Sequence, residues 1–151
     1  MRRGIFVALV PLLLLAHPAF ADGNGAVKTD LFESSTFACQ QPAISGADKG
    51  FVVFNLPGPP GGPHEKVMAT VSLKKAQPNT TMVVFLDQHT TPGTPAPNPN
   101  ACDVDATFTT NEVGNGTVHV EDQWAGTNFF QVVIRPLGSP PDYTTPVVFV
   151  D

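Results

Sequence analysis

The residues of this chain that could do chemistry are histidines and carboxylates that recur at short spacing. Asp87 and His89 form one pair, and Asp103 and Asp105 form another. Residues two apart on a β-strand point to the same face, so each pair could present two ligands side by side. If the fold brought two such pairs together, they could hold a hard cation or zinc.

None of these pairs belongs to a motif with an established spacing. The sequence contains no His-Glu-x-x-His pair, no EF-hand loop and no Gly-x-Ser-x-Gly elbow. We therefore expect no catalytic residue, no cofactor and no metal, with Asp87, His89, Asp103 and Asp105 on solvated faces or in loops. The alternative in another functional class is a small secreted hydrolase or metal-dependent module that uses His64, His89 and nearby acids.

Two aromatic side chains are candidates for contact with a ligand. Trp124 is the only tryptophan, and Tyr143 is the only tyrosine. An exposed indole ring could stack on a sugar or on a protein partner. The structural alternative is that Trp124 closes one end of the fold, with its N–H bonded to a neighbour. The expected partner is an unknown protein or a carbohydrate.

The N-terminal segment has the layout of a secretory signal peptide. Arg2 and Arg3 precede an apolar run, and Ala19-Phe20-Ala21 follows as a small-x-small cleavage site. The sequence thus predicts a signal peptide at 1–21 and a flexible N-terminus at 22–28. The protein would be secreted to the periplasm, the cell surface or the medium. No membrane span is expected in the mature chain.

The net charge argues against one class of partner, and the number of cysteines predicts a disulfide. After cleavage the chain keeps six of its eight Lys and Arg residues against 13 Asp and Glu, a net charge of −7. This acidic balance argues against nucleic acid as a partner. Cys39 and Cys102 are the only cysteines. In an oxidising compartment, an even count predicts one disulfide between them.

Short β-favouring runs alternate with turn-rich loops over the rest of the chain. Several runs alternate apolar and polar residues, as in 66–74, where Val67, Ala69, Val71 and Leu73 share one face. Phe129 and Phe130 would face opposite sides of a strand, and the apolar run 83–86 suggests a strand covered on both sides. The predicted strands are 29–33, 51–56, 66–74, 81–87, 103–110, 117–121, 128–135 and 146–150.

Two turn sequences predict hairpins between these strands. Gln77-Pro78-Asn79-Thr80 joins two runs, and Gly114-Asn115-Gly116 joins two others. The stretch from Val71 to Leu86, followed by Phe108 to Gly116, resembles small secreted bacterial immunoglobulin-like domains. That resemblance rests on turn and strand patterns and brings no functional residues with it.

The sequence therefore predicts one all-β domain over 29–151. Its expected architecture is an antiparallel two-sheet sandwich of the immunoglobulin or fibronectin-III type, with about seven or eight strands. The function expected is a secreted, non-catalytic binding or structural surface module. A third possibility is a subunit of a cell-surface assembly, in which 29–33 or 146–150 adds to a neighbour's sheet. The oligomeric state is open.

Overall fold

The fold is an antiparallel β-structure, seen in a computed structural model that describes residues 25–34, 44–57, 65–91, 94–95, 103–138 and 141–150. In these ranges there is no helix, and hence none that could cross a membrane. The strands are β1 (Val27–Ser34), β2 (Ile44–Asn55), β3 (Lys66–Leu73), β4 (Thr81–Thr91), β5 (Thr94–Pro95), β6 (Ala106–Thr109), β7 (Gly116–Gln123), β8 (Phe129–Pro136), β9 (Asp142–Thr144) and β10 (Val148–Phe149).

All of these strands belong to one sheet that is nearly closed into a barrel. Its order is β5-β4-β8-β9-β1-β2-β3-β7, with β10 on β8 and β6 on β4. The all-β, antiparallel prediction is confirmed, but the separation into two sheets is not. The reason is β9, which pairs with both β8 and β1 and so joins what would otherwise be two layers.

The interior is filled by one apolar face from nearly every long strand. In β3, Val67, Ala69, Val71 and Leu73 are buried, whereas Thr70 on the other face is exposed, as the alternation predicted. In β8, Phe130 is fully buried and its ring stacks on Phe54, with 6.2 Å between centroids. Burial of such side chains out of water is the main stabilising contribution to a fold of this kind.

Strands β4 and β8 differ from the other long strands because residues on both of their faces are buried. Met82, Val84 and Leu86 contribute to the main core, while Val83 and Phe85 pack with Val133 in a second apolar cluster. The run 83–86 thus lies in a strand covered on both sides, as its composition indicated. Phe129 and Phe130 also take opposite faces: Phe129 packs on Phe149, with ring centroids 5.2 Å apart.

The two predicted hairpins are not formed. β3 pairs with β2 and β7, and β4 pairs with β8, β6 and β5, so the turn at 77–80 joins strands that are not hydrogen-bonded neighbours. The turn at 114–116 likewise links β6 to β7, which do not pair. The turn chemistry was predicted correctly at Asn79, which has a φ of 50°, but not at Asn115 and Gly116, neither of which has a positive φ; the left-handed residue of that connection is Gly114, with a φ of 76°. The choice of strand partner is non-local, and turn residues do not encode it.

Instead, the two connections lie against each other at one end of the barrel, here called the turn end. Ala76 N–H donates to the Gly114 carbonyl at 3.0 Å, and Asn79 N–H donates to that of Asn111 at 3.1 Å. The buried Thr110 hydroxyl donates to the Gln77 carbonyl at 2.6 Å and accepts from Thr80 N–H at 3.0 Å. These bonds satisfy backbone groups that no strand partner reaches.

Several strand boundaries differ from the sequence expectations. β2 and β4 extend well beyond the predicted runs, and β5 and β9 were not predicted at all. β1 begins at Val27, inside the segment expected to be a flexible N-terminus. Val104 lies in the predicted strand 103–110, but it precedes β6 and is 52% exposed.

Candidate functional site

The end of the barrel opposite the turn end carries a polar groove. In the β3–β7 ladder, Leu73 pairs with Gly116 at the turn end and Lys66 pairs with Gln123 at the other. A depression of about 460 Å³ lies there, open to solvent and lined by Glu65, Lys66, Glu121, Asp122 and Gln123. We call it the rim groove. Its volume is in the range of small-ligand sites.

The groove offers both hydrogen-bond donors and acceptors, with a negative balance. Lys66 Nζ lies 2.6 Å from Glu121 Oε2, and His119 Nε2 lies 3.4 Å from Glu121 Oε1. The hydrogen bond from Lys66 lowers the pKa of the exposed Glu121 carboxyl. Because Lys66 and Glu121 offset each other, Glu65 and Asp122 give the groove its net negative charge.

One buried side chain, Gln88, holds the wall of this groove to β4. Its Nε2 donates to Asp122 Oδ2 at 2.9 Å and to the Gln123 carbonyl at 2.7 Å. Its Oε1 accepts from Ala125 N–H at 2.7 Å. β4 and β7 are not hydrogen-bonded as strands, so the Gln88 carboxamide takes the place of a backbone ladder here. All three bonds are partly shielded from water, which strengthens them.

The loop that follows Gln123 is tied down at several points. Trp124 N–H donates to the Glu65 carbonyl at 3.2 Å, which connects the two ends of the groove wall. The indole Nε1–H donates to the Thr127 carbonyl at 2.5 Å, and the Thr127 hydroxyl donates to the His89 carbonyl. The Trp124 ring is half-buried against the main core. This is the arrangement expected for a residue that closes one end of the fold; contact with a ligand stays a prediction.

A second polar group lies on the other face of β4, beside Gln88 in sequence. Asp87, His89 and Gln131 are buried, with 7%, 0% and 3% of their surfaces exposed. Asp87 Oδ2, both ring nitrogens of His89 and Gln131 Oε1 have no hydrogen-bond partner among the described residues. We call these three residues the buried polar cluster. Unpaired buried polar atoms are rare in native proteins and call for a physical explanation.

Burial shifts the protonation of this cluster toward neutral forms. It raises the pKa of Asp87 to about 7, and the nearby Asp105 carboxylate adds to the rise. Burial lowers the pKa of His89, against a smaller opposing effect from the Gln131 carboxamide. The cluster is therefore one of the places in the chain where a side chain titrates near neutral pH.

Asp105 connects this region to the strand edge. Its backbone N–H donates to the Val84 carbonyl at 3.0 Å, and its Oδ2 accepts from Leu86 N–H at 2.6 Å. β6 pairs with β4 only as far as Val84, so the Asp105 side chain caps the next backbone donor along the strand. Burial raises the pKa of Asp105 to about 6; the Leu86 hydrogen bond opposes the rise, and Asp122 and Asp103 reinforce it.

The structure brings together only some of the predicted metal-site candidates. Asp87 and His89 share a face of β4, as predicted, and Asp105 lies near Asp87. Asp103 and Asp105 precede β6 and are not on a strand. His119, a histidine outside these pairs, is on the outer face of β7, where its Nδ1 lies 3.2 Å from the Thr70 hydroxyl. Within the described ranges, no three His, Cys, Asp or Glu side chains are placed to hold a metal ion.

The remaining predicted residues are either buried in the core or lie outside the described residues. Tyr143 is a core residue with 1% of its surface exposed, and burial raises its pKa. Its ring would meet a ligand only if the barrel opened. Cys39, Cys102, His64 and the proposed signal peptide at 1–21 lie outside the described residues.

Sequence reasoning missed the two residues on which this end of the barrel depends most. Gln88 and Gln131 were not singled out, because glutamine is common on exposed faces. The available signal was position: Gln88 ends the apolar alternation Met82, Val84, Leu86, and Gln131 sits between the buried Phe130 and Val132. A buried glutamine needs partners whether it points into the core, as Gln88 does, or to the covered opposite face, as Gln131 does, and finding those partners requires the tertiary structure.

Comparison with known proteins gives no relative from which a role could be transferred. No protein-family model, no curated protein and no solved structure matches this chain. The function must therefore be argued from the residues themselves.

Proposed function

We propose that the protein is a secreted, non-catalytic binding module that takes a carbohydrate in the rim groove. The observation that carries this proposal is the groove itself, about 460 Å³ in volume and walled by carboxylates, an amide and an ammonium group. Sugar hydroxyls both donate and accept hydrogen bonds. A wall that alternates acceptors and donors suits them better than it suits an apolar ligand.

The rigidity of the groove supports binding. Gln88 fixes the Asp122 carboxylate and the backbone of Gln123 and Ala125, and Trp124 N–H fixes the Glu65 backbone, so the backbone of the wall and one of its carboxylates are held in place before a ligand arrives. Pre-organised groups lose little conformational entropy on binding, which improves affinity. The half-buried Trp124, next in sequence to Gln123, is the proposed aromatic contact.

Secretion is part of the same proposal. The basic n-region, the apolar run and Ala19-Phe20-Ala21 support export with cleavage before Asp22. Cys39 and Cys102 would then meet in an oxidising compartment. A binding module exposed to the outside would encounter polysaccharides of the cell surface or the surroundings.

The proposal is tested by screening the mature protein on a glycan array and measuring the affinity of the best hit by calorimetry. Glu65→Gln and Gln123→Ala remove side-chain groups from the groove without touching the backbone bonds described above. Each is expected to weaken binding roughly three- to tenfold, the effect of losing one hydrogen bond of about 0.5–1.5 kcal/mol.

The matched control is Glu112→Gln, an exposed carboxylate in the connection at the turn end. This variant should bind as the parent does. Absence of any glycan hit, or equal weakening by the control and by the groove variants, would refute the carbohydrate site. A hit that groove variants leave unchanged would place the site elsewhere on the molecule.

A further inference from the structure

The buried polar cluster has too few hydrogen-bond donors for its acceptors. Asp87 and Gln131 are direct partners in the β4–β8 register, so their side chains share a face and lie within reach of each other. Gln131 Nε2 already donates to the Thr144 hydroxyl at 3.0 Å and to the Thr145 carbonyl at 2.8 Å. Its Oε1 is therefore left to accept a bond; the His89 ring lies near enough for the Gln131 carboxamide to raise its pKa, but no described residue donates to Oε1 at hydrogen-bond geometry.

The protonation states of Asp87 and His89 decide how many hydrogen-bond donors the cluster has. An ionised Asp87 has only acceptors, and a neutral His89 has one N–H and one acceptor nitrogen. The unpartnered atoms thus comprise three acceptors, namely Asp87 Oδ2, Gln131 Oε1 and one nitrogen of His89, against a single donor. Each acceptor left unpaired in this shielded place carries a desolvation cost.

We propose that Asp87 keeps its proton in the folded protein and donates it to Gln131 Oε1 across the β4–β8 ladder. The proton adds the missing donor, and it removes a negative charge from a nearly water-free site. The remaining His89 N–H is then free for another acceptor of the cluster. The alternative, a protonated His89 beside an ionised Asp87, would bury two charges where one neutral pair suffices.

This arrangement makes the stability of the fold depend on pH in a defined direction. Because the folded pKa of Asp87, about 7, lies above the ordinary value of 3.8, the folded state holds a proton that the unfolded state releases. The stabilisation is complete below the ordinary value and is lost as the pH rises through the folded value. This contribution should therefore fall progressively from about pH 4 and level off near pH 8, and its last part lies in the window between about pH 6 and pH 8.

Other groups near Asp87 titrate mostly below this window. Asp105 changes charge near pH 6, and His89 affects stability only below its ordinary value of 6.5, where burial disfavours the charged ring. Asp103 and Asp122 act on Asp105, and Arg135 on β8 acts on Asp142. Between pH 6.5 and 8, Asp87 is thus the group of this cluster that still exchanges its proton.

The test measures urea unfolding of the mature protein at pH 6 and pH 8, together with the variants Asp87→Asn and Asp103→Asn. In the parent, the unfolding equilibrium constant should rise roughly tenfold from pH 6 to pH 8. Asp87→Asn supplies a permanent N–H donor in place of the titrating group and should abolish most of that rise. Asp103→Asn removes an exposed carboxylate from the same region and should retain it.

A second measurement on the parent protein keeps the proposal falsifiable if Asp87→Asn does not fold. Infrared spectroscopy with carboxyl-labelled aspartate should show two titrating protonated carboxyl signals, one from Asp105 that is lost near pH 6 and one from Asp87 that is lost near pH 7. A flat stability profile in the parent, or a profile unchanged in Asp87→Asn, would overturn the proposal. So would nitrogen NMR shifts showing a doubly protonated His89 ring at pH 6.

Discussion

At the scale of single residues, side chains complete the sheet where the backbone does not. One edge of β4 pairs with β8 from Met82 to His89. The other edge pairs with β6 over its first half and with β5 near its end, and side chains bond the stretch between them. Asp105 Oδ2 accepts from Leu86 N–H, and the Gln88 carboxamide reaches three groups of β7 and the loop after it. A few polar residues therefore decide how firmly the barrel is closed.

Replacing Gln88 by leucine should destabilise the protein strongly although the volume and the burial are nearly conserved. The Asp122 carboxylate, the Gln123 carbonyl and the Ala125 N–H would all lose their partner in a shielded place. Losing these bonds together should cost about 2–4 kcal/mol of unfolding free energy. Chemical denaturation measures this loss.

The control for this substitution is Gln123→Leu, which changes the same residue type at an exposed position. It should alter the unfolding free energy by less than about 0.5 kcal/mol. Equal effects of the two substitutions would mean that Gln88 contributes no more than a surface glutamine.

At the scale of elements, the two turns that were predicted to form hairpins pack against each other instead. The connections from β3 to β4 and from β6 to β7 run side by side, and their backbones bond to each other. The contact is close. A Cβ on Gly114 would lie 2.0 Å from the Ala76 carbonyl oxygen and 2.8 Å from its carbon. Only glycine allows this approach.

Gly114→Ala should therefore separate the two connections. The substitution adds the cost of a φ of 76° for alanine to a clash with backbone that cannot move aside as a side chain could. We expect a loss of unfolding free energy above about 2 kcal/mol. Thermal or urea unfolding would show it.

Gly126→Ala is a matched comparison for that variant. Gly126 has nearly the same φ, 80°, but a Cβ there would meet nothing within 4 Å. It should cost only about 1 kcal/mol, the conformational part of the effect. If both variants lost the same stability, the close approach at Gly114 would be unimportant.

The elements show clearly what the sequence could and could not predict. Each of the eight predicted runs has a strand, and the buried face of β3 was identified residue by residue, because alternation is a local signal. The pairing partners of the strands on either side of both turns were predicted wrongly, because strand pairing depends on residues far away in the chain. The three-residue β9 has too little pattern to be recognised, yet it is the strand that turns two layers into one sheet.

At the scale of the whole molecule, the proposals of export and of a disulfide make one joint prediction. Protein recovered from the secreted fraction of its own host should begin at Asp22. Its intact mass should be lower by two hydrogens than that of the reduced chain, because Cys39 and Cys102 have been oxidised. Intact mass spectrometry before and after reduction measures both features.

Different outcomes of that measurement have different meanings. A mass that includes residues 1–21 would refute cleavage of the N-terminal segment. A correct start with no change of mass on reduction would leave export standing and refute the disulfide. A mass that fits neither the oxidised nor the reduced chain would point to a modification that the residue types alone do not indicate.

The sheet can be completed only after β9, which lies late in the chain, has been synthesised. β1 finds its second neighbour only when residues 142–144 are available, and Ser34 and Asp142 are register partners although they stand 108 positions apart. A chain that stops short of this point would leave the edges of β1 and β8 open, and such edges recruit strands from other chains. Loss of residues 142–144 should therefore promote aggregation as well as destabilise the fold.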